Sequence, residues 1–190
     1  SLSKIAPVRL IRGNHDCRKK NIKRVDSIKA LVKTSNNPNI VYYDSTDLFD
    51  DGDIVWAVWH HGDNKNNPWN TKKGKQYIAN RQNSEQISID LFHDPINGSK
   101  SINGEIFKSK MYYKPSDFLG DISMLGDIHL HQIVGGFKNK AYAGSLIAQD
   151  FSEGDDNFHG YLLWDLDNKE FEKYQYIIST RIKILKYHHM

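Results

Sequence analysis

Four times along this chain an apolar, β-branched run ends in a turn that carries histidine or carboxylate. Leu10 to Asp16 reads L-I-R-G-N-H-D, Val58 to Asp63 reads V-W-H-H-G-D, Ser88 to Asp94 reads S-I-D-L-F-H-D, and Met124 to Gln132 reads M-L-G-D-I-H-L-H-Q. One such turn is ordinary. Three or four in a chain with nine histidines point to strands that deliver their C-terminal ends to a shared metal site. Glycine sharpens the effect at Gly13: it lets the chain turn at once as the strand ends, so the next side chains project into a cleft rather than into the sheet.

Periodicity fills in the elements between these turns. A strand is expected over Val8 to Arg12. A helix follows from about Ile22 to Lys33, with Val25, Ile28, Leu31 and Val32 at helical spacing, and Asn36, Asn37 and Pro38 break it. Asn39 to Tyr43 reads as a strand, Ser45 to Asp53 as a polar turn region, and Ile54 to His60 as a largely buried strand. Gly62 to Lys75 reads as a long loop, Lys75 to Arg81 as a short helix, and Ile87 to Phe92 as a strand ending in His93. Asp94 to Lys110 is a second loop, and Phe118 to Leu125 returns to the core. Gln132 to Gly136, Ala141 to Gly144, Gly160 to Asp165 and Phe171 to Ile178 read as successive antiparallel strands, with a hairpin turn at Asp167 and Asn168. The pattern predicts one α/β (α+β) domain, a two-sheet β-sandwich flanked by helices.

Length and composition bound the rest. A chain of 190 residues can bury a real core, and its net charge of +3 is too modest to argue for nucleic acid by itself. Apolar stretches such as Ile54 to Trp59 are far too short for a transmembrane helix, so a cytoplasmic or nucleoplasmic setting without a membrane partner is expected. The single cysteine, Cys17, cannot form an internal disulfide and reads as a small packed thiol. The chain begins at Ser1 and enters a strand within a few residues, so it reads as a fragment. Thr180 to Met190 is basic and reads as a frayed end or a lead into a further region.

The turns suggest their own chemistry. Asn14 can offer a neutral oxygen to a hard cation, His15 can reach an oxyanion, and Asp16 can fix the tautomer of His15. An ordinary polar turn is the alternative. Alternate residues of an extended segment face the same way, so Asp127, His129 and His131 could converge. His93 stands at a strand end, and His60 and His61 either join the site or cap their strand. Mixed Asn, Asp and His ligands suit Mn2+, Fe2+ or Zn2+, and without clustered cysteines a structural zinc site is not indicated. Such a set fits paired-metal hydrolysis of phosphate esters, with His15 donating to the developing charge or to the leaving group.

Gly13-Asn14-His15-Asp16, the strand-end His93 and the Gly126-x-x-His129 turn together resemble the calcineurin-like metallophosphoesterases. That family runs D-x-H, G-D-x-x-D, G-N-H-D or G-N-H-E, a lone His, then G-H-x-H, and only the last three are found here in that order. The likeness extends to DNA-repair exonucleases of the SbcD type through A-Y-A-G-S-L-I-A-Q-D-F-S-E-G at Ala141 to Gly154 and H-G-Y-L-L-W-D-L at His159 to Leu166. It covers Val8 to about Tyr176.

The resemblance implies that residues 1–178 are the C-terminal portion of a metallophosphoesterase domain, incomplete at its N-terminus, with 179–190 a tail or a lead into a missing region. It implies two divalent metal ions, Mn2+ first, with Asn14 and His93 on the second metal and His15, assisted by Asp16, as the catalytic histidine. The ligands of the final motif are divided between the metals. Asp127 stands where the family has the first His of G-H-x-H, so Asp127 and His129 inherit those roles, and whether Asp127 or His131 ligates stays open. The implied activity is DNA phosphodiester cleavage by attack of metal-bound hydroxide, with an SbcC-type ATPase partner and a homodimer in the full-length form. The fragment alone is expected to be inactive.

A DNA substrate also suits the loops. Lys65, Lys72, Lys73 and Lys75 with Trp69, and then Lys100, Lys108 and Lys110, could meet phosphates and stack on an unpaired base, with His61 beside them. Solvated lysines on polar loops are the plain alternative. Two other functions stay open on the same residues: a metallophosphatase acting on nucleotides or phosphoproteins, and a non-catalytic scaffold whose metal site has decayed.

Overall fold

Strand ends do converge in the computed structural model, which describes residues 2–17, 26–63, 66–149, 153 and 158–176. The architecture is mixed α/β. A six-stranded sheet has the order β3-β4-β5-β6-β8-β7, built from β3 (Asp47–Asp51), β4 (Ile54–Trp59), β5 (Ile87–His93), β6 (Ile122–Gly126), β7 (Gln132–Val134) and β8 (Phe137–Tyr142). Beside it stand a parallel pair, β1 (Val8–Leu10) with β2 (Ile40–Tyr42), and an antiparallel hairpin, β9 (Gly160–Asp165) with β10 (Glu170–Gln175). Among the described residues the α-helices are α1 (Ser27–Ser35) and α2 (Lys72–Asn80). No helix among the described residues is long and apolar enough to cross a membrane.

The core of the large sheet is parallel from β4 through β5 and β6 to β8. All four strands therefore point their C-terminal ends the same way, and it is there that the polar turns follow. On one face the register aligns Val55, Ala57 and Trp59 of β4 with Ser88, Asp90 and Phe92 of β5. Trp69, Ile96, Phe118 and Tyr142 close this side into a continuous apolar core. Inside it Asp90 is fully buried. Its carboxylate accepts from both Trp59 Nε1 (2.9 Å) and Trp69 Nε1 (2.8 Å), from Gly120 N (2.9 Å) and from Ser123 Oγ (3.0 Å). Burial pushes the Asp90 carboxyl above its ordinary range against the pull of those four donors. The opposite face lines a groove of about 560 Å³ between Ile54, Trp56, Ile89 and Leu91 on the sheet and Leu162 and Trp164 on the hairpin, with Ile11 and His93 at its edge.

Several expected elements shift. The segment 45–53 is not a turn region throughout: β3 occupies Asp47–Asp51 and pairs antiparallel with β4. Leu48 is buried under it while Asp50 and Asp51 stay exposed, as suits an edge strand that carries charge against further pairing. β7 pairs antiparallel with β8 and β9 with β10, as expected, while β8 begins earlier, at Phe137, and also runs parallel to β6. The first helix is described from Ser27 and runs past Lys33 to Ser35, capped by the buried Asp26 carboxylate on Lys29 N (2.7 Å) and closed by left-handed Asn36. Its expected start at Ile22, the residue Lys65, and the expected strand end and tail from 177 onward lie outside the described residues. The long loop after Gly62 is shorter than expected, because Pro68–Asn70 forms a 3-10 turn and α2 begins at Lys72.

Candidate functional site

The site grows from three strand ends. β1 stops at Leu10 and the chain turns through Gly13, Asn14 and His15. Asp16 closes that turn, its Oδ2 accepting from Gly13 N at 2.8 Å and its Oδ1 from Ser27 Oγ at 3.2 Å. The carboxylate expected to orient His15 is thus engaged by the turn itself. His15 is exposed beside it.

β5 ends at His93, whose imidazole is wedged between two glycine backbones. A Cβ on Gly13 would fall 2.6 Å from His93 Nε2, and one on Gly126 would fall 2.7 Å from Nδ1. Only residues without a side chain admit the ring at this place.

β6 ends at Gly126, and Asp127 follows in the left-handed region with φ 83°. That conformation is strained for a non-glycine residue, and it ends the extended run on which the expected convergence of Asp127, His129 and His131 depended. The three side chains take different partners. Asp127 turns toward the first two strand ends, where its Oδ1 accepts from Asn14 Nδ2 at 2.6 Å and lies 3.7 Å from His93 Nε2. Burial holds the His93 imidazole below its ordinary value and pushes the Asp127 carboxyl up, each partly offset by the other.

His129 instead pairs through Nδ1 with the buried Glu153 carboxylate. His131 donates from Nδ1 to the Tyr142 carbonyl at 2.8 Å and sits against the rings of Phe158 and Phe171. Both histidines have their Nδ1 engaged, the arrangement that fixes the tautomer and leaves Nε2 as the lone-pair nitrogen.

A further histidine flanks the centre. His61 Nδ1 bonds to Asp94 Oδ2 at 2.9 Å, and the His61 ring stands perpendicular to that of His93 with centroids 6.4 Å apart. The Asp94 carboxylate raises the His61 imidazole above its ordinary value despite burial. Arg12, only 3 % exposed, donates from Nε and Nη2 to the His61 carbonyl at 3.0 and 2.6 Å. It ties the end of β1 to the end of β4. Arg12, Asp94 and Glu153 were not among the expected site residues. A lone arginine at the end of an apolar strand was the one signal available for Arg12.

No family model matches the chain. A protein of Acanthamoeba polyphaga mimivirus, Uncharacterized protein R555, is 32% identical over 174 residues, which is 90% of this chain and 13% of that protein. The chain thus spans about an eighth of the length of this relative.

The expected substrate-facing residues divide. Trp69 is 1 % exposed and its indole N–H is spent on Asp90, so it has no face to offer a base. A polar loop hides an anchor residue. Lys72 and Lys73 are exposed at the start of α2, with Lys73 paired to Asp47 at 3.1 Å. Lys108, Lys110 and Lys114 line an open groove of about 1030 Å³ with Tyr112 and Phe137. Among the described residues no group of three or more His, Cys, Asp or Glu side chains stands close enough to hold a metal ion by itself. Asn14, which that set of residue types leaves out, supplies the third polar group beside His93 and Asp127. An amide, an imidazole and a carboxylate together form a donor set suited to a borderline-hard divalent cation.

Proposed function

We propose that this chain belongs to a metal-dependent phosphodiesterase acting on DNA, of the calcineurin-like metallophosphoesterase kind and closest in character to SbcD-type repair exonucleases. The observation that carries the reading is the meeting of Asn14 and His93 on one oxygen of Asp127, across 113 sequence positions, in the order the family's motifs follow. A sandwich of two sheets belongs to the same reading, with β1 and β2 as the edge of the second sheet. The family's first two motifs, which precede G-N-H-D, would come from chain ahead of Ser1.

Asn14, His93, Asp127 and His129 would hold the metal, with His131 oriented alongside. Two divalent ions, Mn2+ before Fe2+ or Zn2+, supply when bound Lewis acidity toward the phosphoryl oxygen and an activated water at neutral pH. His15, exposed at the lip of the turn, donates a hydrogen bond to the phosphate and then a proton to the leaving oxygen. Arg12 and Asp94 keep the flanking strand end and His61 in register with His93. The groove lined by Lys108, Lys110 and Lys114 gives the DNA backbone a positive track. An SbcC-type ATPase and a second copy of the full-length chain are the partners this reading brings.

The test is Mn2+-dependent cleavage of linear DNA by the protein with its upstream segment. His15→Ala is expected to slow it about 10²- to 10⁴-fold. Cleavage at the unaltered rate by that variant would sink the mechanism.

A further inference from the structure

We infer that Glu153 is the positioning residue of His129, holding its imidazole with the proton on Nδ1 so that Nε2 is the nitrogen presented to a divalent cation. The inference rests on the metal reading above for the identity of that ligand, while the positioning itself rests on geometry alone.

Glu153 has 1 % of its side chain exposed, and a carboxylate so deeply placed needs a full set of donors. It has them. One oxygen takes His129 Nδ1, and the other accepts from Ser145 Oγ at 2.9 Å and from Gln149 N at 3.1 Å. His159 closes the ring, its Nε2 donating to the Glu153 carbonyl at 3.1 Å and its Nδ1 in contact with Ser145 Oγ at 3.0 Å. Glu153 is therefore held at both its backbone and its side chain.

His129 lies on top of this network with 38 % of its side chain exposed. A charged acceptor at Nδ1 excludes the tautomer protonated only at Nε2, since that form would set two lone pairs against each other. Nε2 is then the ring nitrogen left with its lone pair. Ser145 N also donates to the His129 carbonyl at 3.1 Å, so ring and backbone are fixed from the same side. A carboxylate behind a ligating histidine is the arrangement that orients the ring and raises its basicity.

The test is long-range proton–nitrogen correlation NMR of the histidine rings in the whole chain, with Zn2+ alone as the titrant. His129 is expected to carry its proton on Nδ1, and Glu153→Gln is expected to shift it toward Nε2, because the amide can turn its NH2 to the ring. Ser145→Ala keeps the carboxylate but removes one of its tethers, and should give an intermediate effect. Zn2+ should move the Nε2 resonance of His129, with affinity about 10- to 100-fold weaker in Glu153→Gln. A proton on Nε2 in the unaltered chain overturns the positioning, and this measurement needs no variant to fold. Equal Zn2+ response in the unaltered chain and in Glu153→Gln also overturns it, and leaves the metal reading standing. An Nδ1 proton that depends on Glu153, with no Zn2+ response at Nε2, upholds the positioning and overturns His129 as a metal ligand.

Discussion

Replacing Gly13 with alanine isolates the packing of His93 from every other property of the site. Gly13 is buried and its φ is not in the left-handed region, so alanine can adopt the backbone without strain. The added methyl falls 2.6 Å from Nε2, 2.9 Å from Cε1 and 3.0 Å from Cδ2 of His93. Relaxed contacts lie at about 3.5–4.0 Å, so ring and strand end must part by roughly 1 Å. The ring cannot retreat freely, because the Gly126 backbone backs it on the Nδ1 side. Overpacking of this kind costs about 1–3 kcal/mol. With a urea slope of about 2 kcal/mol per molar, the midpoint should fall by roughly 0.5–1.5 M. Tryptophan fluorescence follows the transition, and histidine NMR follows the ring. On the phosphodiesterase proposal the same 1 Å displacement should cost about 10²-fold in rate. Because both methyls press on one ring, Gly13→Ala and Gly126→Ala together should depart clearly from additivity. An unchanged midpoint with unmoved His93 resonances would refute the wedge.

Three further outcomes are expected. Asp90→Asn presents at most one accepting oxygen where the carboxylate offered two, so at least one indole or backbone donor is orphaned; urea unfolding should show a loss of about 2–4 kcal/mol. For Asp121, burial alone would raise the carboxyl, but Lys169, the backbone and hydroxyl of Ser88, and Arg81 outweigh it and hold the pKa down. A depressed pKa contributes stability above the ordinary carboxylate value near about 3.9 and loses it as pH falls through the folded-state value. Asp121→Asn should therefore cost about 1–3 kcal/mol at neutral pH, and that difference should shrink in melts run at decreasing pH below about 4. If the lysine groove meets DNA, the combined Lys108→Ala, Lys110→Ala and Lys114→Ala change should flatten the salt dependence of oligonucleotide binding by about 2–3 units of log–log slope, read by anisotropy. A slope already flat in the unaltered chain removes the electrostatic track.

The strand ends were legible because hydrophobic runs and glycine punctuation are local properties. Asn14 and His93 accordingly stand where the spacing predicts, and so does the start of the final turn at Gly126. The partners of Asp127, His129 and His131 are something no alternation pattern carries: Asp127 adopts a left-handed backbone, and two buried groups, Glu153 and the Tyr142 carbonyl, each bond a histidine. β3 was hidden because three of its five residues are aspartates, a composition that reads as turn yet suits an edge strand. Trp69 sits in a stretch of Asn, Lys and Gly that looks solvated, and only its distant partner Asp90 makes it part of the core.

The pairing of Asn14 with Asp127 also fixes when the centre can form during folding. Their contact closes a loop of more than a hundred residues, whereas β9 and β10 meet across a short turn. Local hairpins gain their contacts early, and long closures wait until the intervening chain is already ordered. The parallel strands β4, β5 and β6 must therefore align before the three polar groups meet. Substitutions at Asn14 or Asp127 should speed unfolding and leave the refolding rate nearly untouched, the signature of a contact absent from the transition state.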